Sequence, residues 1–175
     1  GIILKSLSIH MKVTFLGTGT SQGVPVIACN CEVCLSEDMK DKRLRTSVML
    51  SYNDKNIVID TGPDFRQQML REDVQQLDAI LFTHEHKDHI AGMDDIRAFN
   101  YKSKADMPIY ATKRVQDGLK KEFHYVFSDI KYPGIPQVSL NDITSIPFEL
   151  FGKTIIPIEV MHYKLPVTAF RIDNF

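Results

Sequence analysis

Three of the six histidines of this chain lie within one seven-residue segment, residues 83–89. The order of residues there is His-x-His-x-Asp-His, and it directly follows an apolar run at residues 79–82. His84 and His86 are two residues apart, so an extended backbone would point both imidazoles to the same side and let them share one metal ion. Neutral imidazole and carboxylate oxygen are ligands of zinc, iron and manganese. The spacing therefore predicts a metal site after a buried strand, in preference to a solvated polar loop.

The next two potential ligands in this segment are Asp88 and His89. They follow a point where the chain is expected to turn, so they could reach a second, neighbouring ion. Two metal ions about 3.5–4 Å apart can bridge a hydroxide and stabilise both the entering and the leaving oxygen of a displacement reaction. Glu85 and Lys87 occupy the alternate positions, where we expect ordinary surface charge in preference to a role in supporting the ligands.

All three cysteines of the chain lie within six residues, as Cys29, Cys31 and Cys34. Thiolates with this spacing suit a tetrahedral zinc that takes one further ligand from elsewhere in the protein. A disulfide in so short a loop would be strained and would leave one thiol over. We therefore expect a structural zinc at this cluster, with three buried or free thiols in a reduced compartment as the alternative.

Glycines at positions 17, 19 and 23 follow a predicted strand. The third glycine is one position too late for a dinucleotide-binding fingerprint, and Pro25 and the cysteines follow it in place of a helix. Nucleotide binding of that type is not expected. The glycines favour a tight turn near the metals instead.

The elements that must position these groups can be predicted from hydrophobic patterning. Strands are predicted at residues 12–16, 46–52, 79–83, 108–111 and 167–172, with a hairpin turn at 53–56 leading into a strand that ends at Asp60 and two more strands flanking Gly152. Helices are predicted at residues 63–71, 89–99 and 114–126. Core positions are expected for four phenylalanines, Phe65, Phe82, Phe99 and Phe127.

Together these motifs resemble those of the metallo-β-lactamase superfamily, a group of αββα-sandwich hydrolases with an α/β fold of the α+β type. The strand that ends in Asp60 and Gly62 is similar to the superfamily's strand ending in Asp-x-Gly, whose aspartate supports the histidine loop. His162, after the apolar run at residues 154–160, lies where the superfamily places its third histidine. The resemblance extends over residues 12–174. It implies one metal held by three histidines and a second metal held next to it, with the ligands His84, His86 and His162 for the first and Asp88 and His89 for the second.

The cysteine cluster and residues 15–25 resemble, within that superfamily, the PhnP-like phosphoribosyl cyclic phosphodiesterases. In those enzymes three cysteines and a distant histidine hold a structural zinc. The cluster is also similar to that of the pyrroloquinoline quinone biosynthesis B proteins. The cofactors implied are two divalent catalytic metals, zinc or manganese, and one structural zinc.

The resemblance also implies three ligands with no counterpart among these residues: an aspartate bridging both metals, a late histidine on the second metal, and a histidine at the cysteine site. We therefore expect the sandwich to be incomplete at its C-terminus, so that the chain is a fragment or is completed by a partner chain, the fragment being favoured. The 175-residue chain by itself is expected to be catalytically deficient. His10 and His124 are not assigned, and His124 is expected to be structural or at the surface.

Composition limits the class of protein. Hydrophobic residues make up 43% of the chain and charged residues 25%, as in ordinary soluble globular proteins. The length predicts a single domain over residues 1–175, with residues 1–11 as a possible extension because Met11 could be the natural start. The net charge of −1 gives no electrostatic case for nucleic-acid or membrane binding. Neither a membrane span nor a secretory signal is recognisable, so a cytoplasmic location is expected, and a homodimer is left open.

The function implied is that of a metal-dependent hydrolase, and first of all a phosphodiesterase. A metal-bridging hydroxide, formed near neutral pH, would attack the phosphorus of a small cyclic or nucleotide-like phosphodiester. Two carboxylates are the candidate catalytic groups, Asp88 as a metal ligand and Asp60 as the support of the histidine loop. The alternatives are a transfer-RNA 3′-processing endonuclease, a thioester or lactone hydrolase, and a non-enzymatic metal-binding protein.

Overall fold

The structure is a computed structural model that describes residues 10–175. The described residues form two β-sheets packed face to face, with helices against the opposite face of the larger sheet. The suggested N-terminal extension falls on residues 1–11, of which residues 1–9 lie outside the described part. No helix among residues 10–175 is both long and apolar enough to cross a membrane.

The larger sheet has six strands in sequential order. They are β1 (Lys12–Gly17), β2 (Ser47–Tyr52), β3 (Lys55–Ile59), β4 (Ala79–Leu81), β5 (Met107–Ala111) and β6 (Val138–Asp142). The strands β1, β2 and β3 pair antiparallel, whereas β3, β4, β5 and β6 pair parallel. Asn53 and Asp54 have positive φ angles of 49° and 58°, as a two-residue hairpin turn requires between β2 and β3.

The smaller sheet is an antiparallel meander of three strands, β7 (Phe148–Leu150), β8 (Lys153–His162) and β9 (Leu165–Ile172). The α-helices are α1 (Glu32–Leu35), α2 (Phe65–Arg71), α3 (Lys87–Ile90), α4 (Arg97–Ser103), α5 (Lys113–Glu122) and α6 (His124–Phe127). Two short 3₁₀ helices span Met39–Asp41 and Ala91–Ile96. The carboxyl ends of the parallel strands lie at one edge of the sheet, which is where α/β proteins build their sites.

Two hydrophobic cores lie on the two faces of the larger sheet. Successive side chains of a strand point to opposite faces. Val58 and Ile80 belong to the core under the helices, while their neighbours Ile57 and Leu81 belong to the core between the sheets. Each of these four side chains is fully buried. The chain therefore forms three layers within residues 10–175: helices, the six-stranded sheet and the three-stranded sheet.

Most of the predicted elements are confirmed. The strands predicted at residues 12–16, 46–52, 79–83, 108–111 and 167–172 and the helix at residues 63–71 are present, with ends that differ by at most two residues. Phe65 and Phe82 are fully buried, and Phe99 and Phe127 pack against the same core. His10 and His124 are exposed.

The prediction of one continuous helix at residues 89–99 is wrong. The structure has the end of α3, then the 3₁₀ segment Ala91–Ile96, then α4. Gly92 explains the break, because its amide donates to the carbonyl of Thr61 at 2.8 Å and a Cβ there would lie 2.2 Å from the carbonyl oxygen of Gly62. The backbone adopts the 3₁₀ conformation where it packs against the loop after β3. The helix predicted at residues 114–126 is divided at Phe123 into α5 and α6, and β6 was not predicted.

Candidate metal centre

The segment that carries the histidines, residues 83–89, leaves the larger sheet at the end of β4. We call this segment the metal loop. Its first residues are extended, and α3 begins at Lys87, directly after His86 with φ −63° and ψ 145°. The chain therefore turns between the two pairs of predicted ligands. His84 and His86 lie before the turn, and Asp88 and His89 lie after it.

His84, His86 and His162 come together at one point. Each offers a ring nitrogen, and these three atoms all lie within 4.8 Å of one another. His162 is the last residue of β8, so the smaller sheet brings it across to the metal loop of the larger sheet. His84 is buried, whereas the other two rings are exposed. Three convergent imidazoles with an open side are suited to holding a divalent metal and leaving room for a further ligand.

Asp88 and His89 form a second pair next to this group. The Nε2 atom of His89 lies 3.2 Å from Asp88 Oδ2, and the His89 ring centroid lies 4.0 Å from that of His84. The structure thus brings all five predicted ligands of the metal loop and β8 to one place. Their assignment as ligands of two ions stays a prediction.

Asp60 lies beneath the metal loop and binds it through three hydrogen bonds. Its Oδ1 atom accepts from the backbone amide of Thr83 at 2.8 Å, and its Oδ2 atom accepts from the Thr83 hydroxyl at 2.7 Å. The same Oδ2 lies 2.7 Å from His89 Nδ1. Asp60 is 3% exposed and has a positive φ of 63°, a conformation that aspartate tolerates better than most residues. Its position supports the predicted role of holding the histidine loop.

The neighbouring glycine explains why the loop after β3 can come so close. A Cβ at Gly62 would lie 2.3 Å from the carbonyl oxygen of Asp88. Any other residue at this position would push the metal loop away. The Asp-x-Gly motif therefore places a carboxylate under the loop at its first position and allows close packing at its third.

These hydrogen bonds determine which ring nitrogens are free to bind a metal. The single proton of the Thr83 hydroxyl goes to Asp60, so the hydroxyl oxygen accepts from His84 Nδ1, which lies 2.8 Å away. His89 Nδ1 likewise donates to Asp60. In both rings Nε2 remains as the metal-binding atom. The residues present therefore fit a metal centre.

Burial and charge act differently on these two rings. Burial, with a smaller contribution from the neighbouring His89 ring, lowers the pKa of His84 to about 4, so His84 is neutral at physiological pH. Burial also disfavours the charged form of His89. The hydrogen bond from His89 to Asp60 and the charges of Asp60 and Asp88 outweigh that and raise its pKa above the ordinary value.

A cavity of about 850 Å³ opens beside these groups. Its polar lining includes Ser21 and Thr46 from the two segments around β1 and β2, besides the predicted ligands. Much of the remaining wall is apolar and comes from facing strands of the two sheets, at Val48, Ile59 and Phe170 among others. Its volume suits a small molecule.

The three cysteines form a separate group. Their sulfur atoms all lie within 4.8 Å of one another, and none is in a disulfide. Cys31 directly precedes α1, so Cys34 follows it one helical turn later and on the same side. The amide of Val26 donates to Cys34 Sγ at 3.4 Å. The arrangement fits three ligands of one zinc, and within residues 10–175 no fourth ligand is grouped with them.

Thr83 is part of the site but was not predicted from the sequence. Its position directly before the first histidine was the one available signal, but the contact with Asp60 depends on the pairing of β3 with β4 and is not visible in the sequence. Glu85 and Lys87 were expected to be surface charges. Lys87 is exposed as expected, whereas Glu85 is half-buried. Both contact α5, where Arg114 Nε donates to Glu85 at 2.9 Å and Glu122 pairs with Lys87.

Comparison with known proteins identifies the family. A family model described as a beta-lactamase superfamily domain matches residues 55–174, which is more than half of the chain. The chain belongs to the metallo-β-lactamase superfamily. The family and the fold expected from the sequence are thereby confirmed.

Similar proteins within the superfamily differ in what they are described to do. A crystal structure of a new diphosphatase from the PhnP family superimposes with a TM-score of 0.85 at 41% identity, over 93% of this chain and 62% of that one. An octanoyltransferase from Porphyromonas gingivalis is 42% identical over 94% of this chain and 33% of its own length. A ribonuclease Z from Staphylococcus epidermidis is 25% identical over 93% of this chain and 49% of its own. The chain thus spans about half or less of the curated relatives it matches.

Proposed function

We propose that the protein is a metal-dependent phosphodiesterase that acts on a small cyclic or nucleotide-like phosphodiester. The observation that carries the proposal is the convergence of His84, His86 and His162 with the Asp88–His89 pair at the mouth of one small-molecule cavity. The similarity to a diphosphatase from the PhnP family supports a phosphorus centre as the point of attack.

The chain's own residues have distinct roles in this proposal. His84, His86 and His162 would hold one divalent metal, zinc or manganese, and Asp88 and His89 would help to hold its neighbour. Two metals bound there would supply a water nucleophile at neutral pH and would stabilise the charge that develops on the phosphoryl oxygens. Asp60 orients His89 directly and His84 through Thr83, so both rings present Nε2.

The charge and the size of the cavity indicate which substrates it could bind. Within residues 10–175 no lysine or arginine lines it, so an anionic phosphodiester would depend on the metals for its charge neutralisation. Ser21 and Thr46 are polar residues of the wall, and the Thr46 hydroxyl already donates to the carbonyl of Gly19 at 2.8 Å. A cavity of about 850 Å³ supports a small substrate in preference to a folded RNA.

The test begins with metal content and hydrolysis of bis(p-nitrophenyl) phosphate by purified protein that includes the C-terminal segment expected to complete the sandwich, because the 175-residue chain by itself is expected to be catalytically deficient. A panel of cyclic phosphates, diphosphates, precursor transfer RNA and acyl thioesters then ranks the substrates. We expect metal-dependent turnover that is highest with a small phosphodiester. Binding of metal without turnover on any member of the panel would favour the non-enzymatic alternative and contradict the proposal.

One specific observation favours a second candidate, a thioester hydrolase. The cavity wall is apolar at Val48, Ile59, Val167 and Phe170, and a relative with 42% identity is described as an octanoyltransferase. An acyl chain would find contacts along such a wall. Faster hydrolysis of an octanoyl thioester than of any phosphodiester would replace the first proposal by this one.

A further inference from the structure

One face of α5 lies against the metal loop. Arg114 Nε donates to Glu85 Oε1 at 2.9 Å, and Glu122 pairs with Lys87. Glu85 and Lys87 are the two residues that alternate with the ligands along the loop. The two ion pairs have opposite polarity. In the first the helix residue is positive and the loop residue negative, and in the second the helix residue is negative and the loop residue positive. Charge complementarity therefore favours one register of the loop along the helix.

Gly118 lies between these two pairs. A Cβ at this position would lie 2.7 Å from the Cβ and 3.1 Å from the Cγ of Glu85, closer than carbon atoms can approach without displacement. Arg114, Gly118 and Glu122 follow one another at intervals of four residues, so they share one face of the helix. The helix and the loop are thus in contact at a distance that only glycine permits.

The other side of α5 is fixed to the sheet. Val115 and Leu119 are buried in the core under the helices. The Gln116 side chain donates to the carbonyl of Ala111 at 3.0 Å and to Asp142 at 2.7 Å. The helix starts directly after β5, which is the parallel neighbour of the strand that leads into the metal loop. It is therefore a rigid support, because it is attached through both packing and hydrogen bonds.

We propose that α5 positions the metal centre, with Gly118 setting the distance between helix and loop and the two ion pairs setting the register. In this arrangement Glu85 and Lys87 hold the loop from outside while Asp60 holds it from beneath. His84, His86 and Asp88 then face the cavity together. The inference rests on the metal centre of the proposed function and on none of its substrate assignments.

The decisive variant is Gly118→Ala. In an ordinary helix this substitution is stabilising, because alanine has the higher helix propensity. Here the added methyl group must displace Glu85 and the loop, so we expect zinc binding to weaken about tenfold or more, as for other groups that orient metal ligands. Titration against a chromophoric chelator measures the affinity. The absorption spectrum of the cobalt-substituted protein should change as well, because it reports coordination geometry.

A double-mutant cycle separates this contact from a general effect on the helix. Gly118→Ala should change zinc affinity little in a Glu85→Gly background, where the opposing side chain is absent. Asp117→Ala, at an exposed neighbouring position of the same helix, is the matched control and should leave both affinity and spectrum unchanged. Equal effects of Gly118→Ala in both backgrounds would overturn the inference.

The ion pairs provide a test that does not depend on the tight contact. Arg114 is largely exposed, and exposed ion pairs contribute little to global stability, so Arg114→Glu should fold normally. It should weaken zinc binding, and adding Glu85→Arg should restore the affinity. Wild-type protein that binds no zinc would contradict both the proposed function and this inference. Wild-type zinc binding that neither Gly118→Ala nor Arg114→Glu alters would contradict this inference alone.

Discussion

The Thr83 hydroxyl lies 2.8 Å from His84 Nδ1, and this contact connects the first predicted metal ligand to the carboxylate beneath the loop. The hydroxyl donates its proton to Asp60 and accepts one from the ring. One buried carboxylate thereby orients two imidazoles, His89 directly and His84 through the hydroxyl. Loss of the hydroxyl would leave the His84 ring free to place its proton on the nitrogen that should bind the metal.

Thr83→Val tests this arrangement. Valine has nearly the shape of threonine and keeps the backbone hydrogen bond to Asp60, so the fold should be retained. We expect metal affinity to fall about tenfold or more, because groups that orient ligands have effects of this size. Thr83→Ser keeps the hydroxyl and should retain the wild-type affinity. The ¹⁵N chemical shifts of His84 report the tautomer, and an unchanged tautomer in the valine variant would argue against the hydroxyl's role.

The parts of the site that could be predicted from sequence are those that depend on local spacing. His84 and His86 alternate on one segment, so their convergence follows from the geometry of an extended chain. Asp60 and His162 are far from them in sequence, and only the resemblance to a known family suggested their places. Their proximity depends on the parallel pairing of β3 with β4 and on the smaller sheet facing the larger one. Contacts of this kind leave no periodic signal.

The errors in the fold have a similar origin. Residues 89–99 have a helical pattern, but the close approach of Gly92 to the loop after β3 imposes a 3₁₀ conformation. The strand β6, with the sequence Val-Ser-Leu-Asn-Asp, has weak strand propensity and forms because it pairs with β5 along its whole length. In both cases a tertiary contact outweighs the local preference.

A buried hydrogen bond between the two sheets gives a prediction for stability. The hydroxyl of Tyr52, at the end of β2, donates to the carbonyl of Leu150 at 2.8 Å. Tyr52→Phe should lower the free energy of unfolding by about 1 kcal/mol, the usual net contribution of such a bond. Urea denaturation at neutral pH measures the difference. Equal stability of the two proteins would mean that the hydrogen bond contributes nothing.

The same residue predicts how stability depends on alkaline pH. Burial raises the pKa of Tyr52 to about 12, with the negative charges of Asp173 and Glu149 adding to the effect, against about 10 in the unfolded chain. The folded state keeps the phenol protonated, so its contribution is complete below pH 10 and is lost as pH rises from 10 towards 12. The free energy of unfolding of Tyr52→Phe should therefore fall less steeply with pH in this range than that of the wild type. If the free energy of unfolding had the same pH dependence in both proteins, the raised pKa of Tyr52 would be contradicted.

The cysteine group predicts a metal that is separable from those predicted at the histidines. Cys31→Ser should release one zinc and lower the melting temperature, because thiolate–zinc bonds contribute folding energy. The metal loop lies on other elements, so the affinity at the histidines should be retained. Zinc-loaded native protein should also react slowly with a thiol reagent. Rapid modification of all three thiols would contradict a structural zinc at this cluster.

The last prediction concerns His86, which supplies one of the three convergent imidazoles. Groups that merely support ligands are worth 10–100-fold in metal affinity, so removal of a ligand should cost more than about 100-fold. In protein that includes the expected C-terminal segment, His86→Ala should accordingly lose metal from the first site and lose turnover. The His86 ring is exposed and has no role in the core. With metal removed from both proteins, His86→Ala should therefore melt at the same temperature as the wild type. His124→Ala, at another exposed histidine, is the control. Full metal stoichiometry and turnover in His86→Ala would remove the metal loop from the site, whereas a loss confined to the first ion would support separate ligand sets for the two metals.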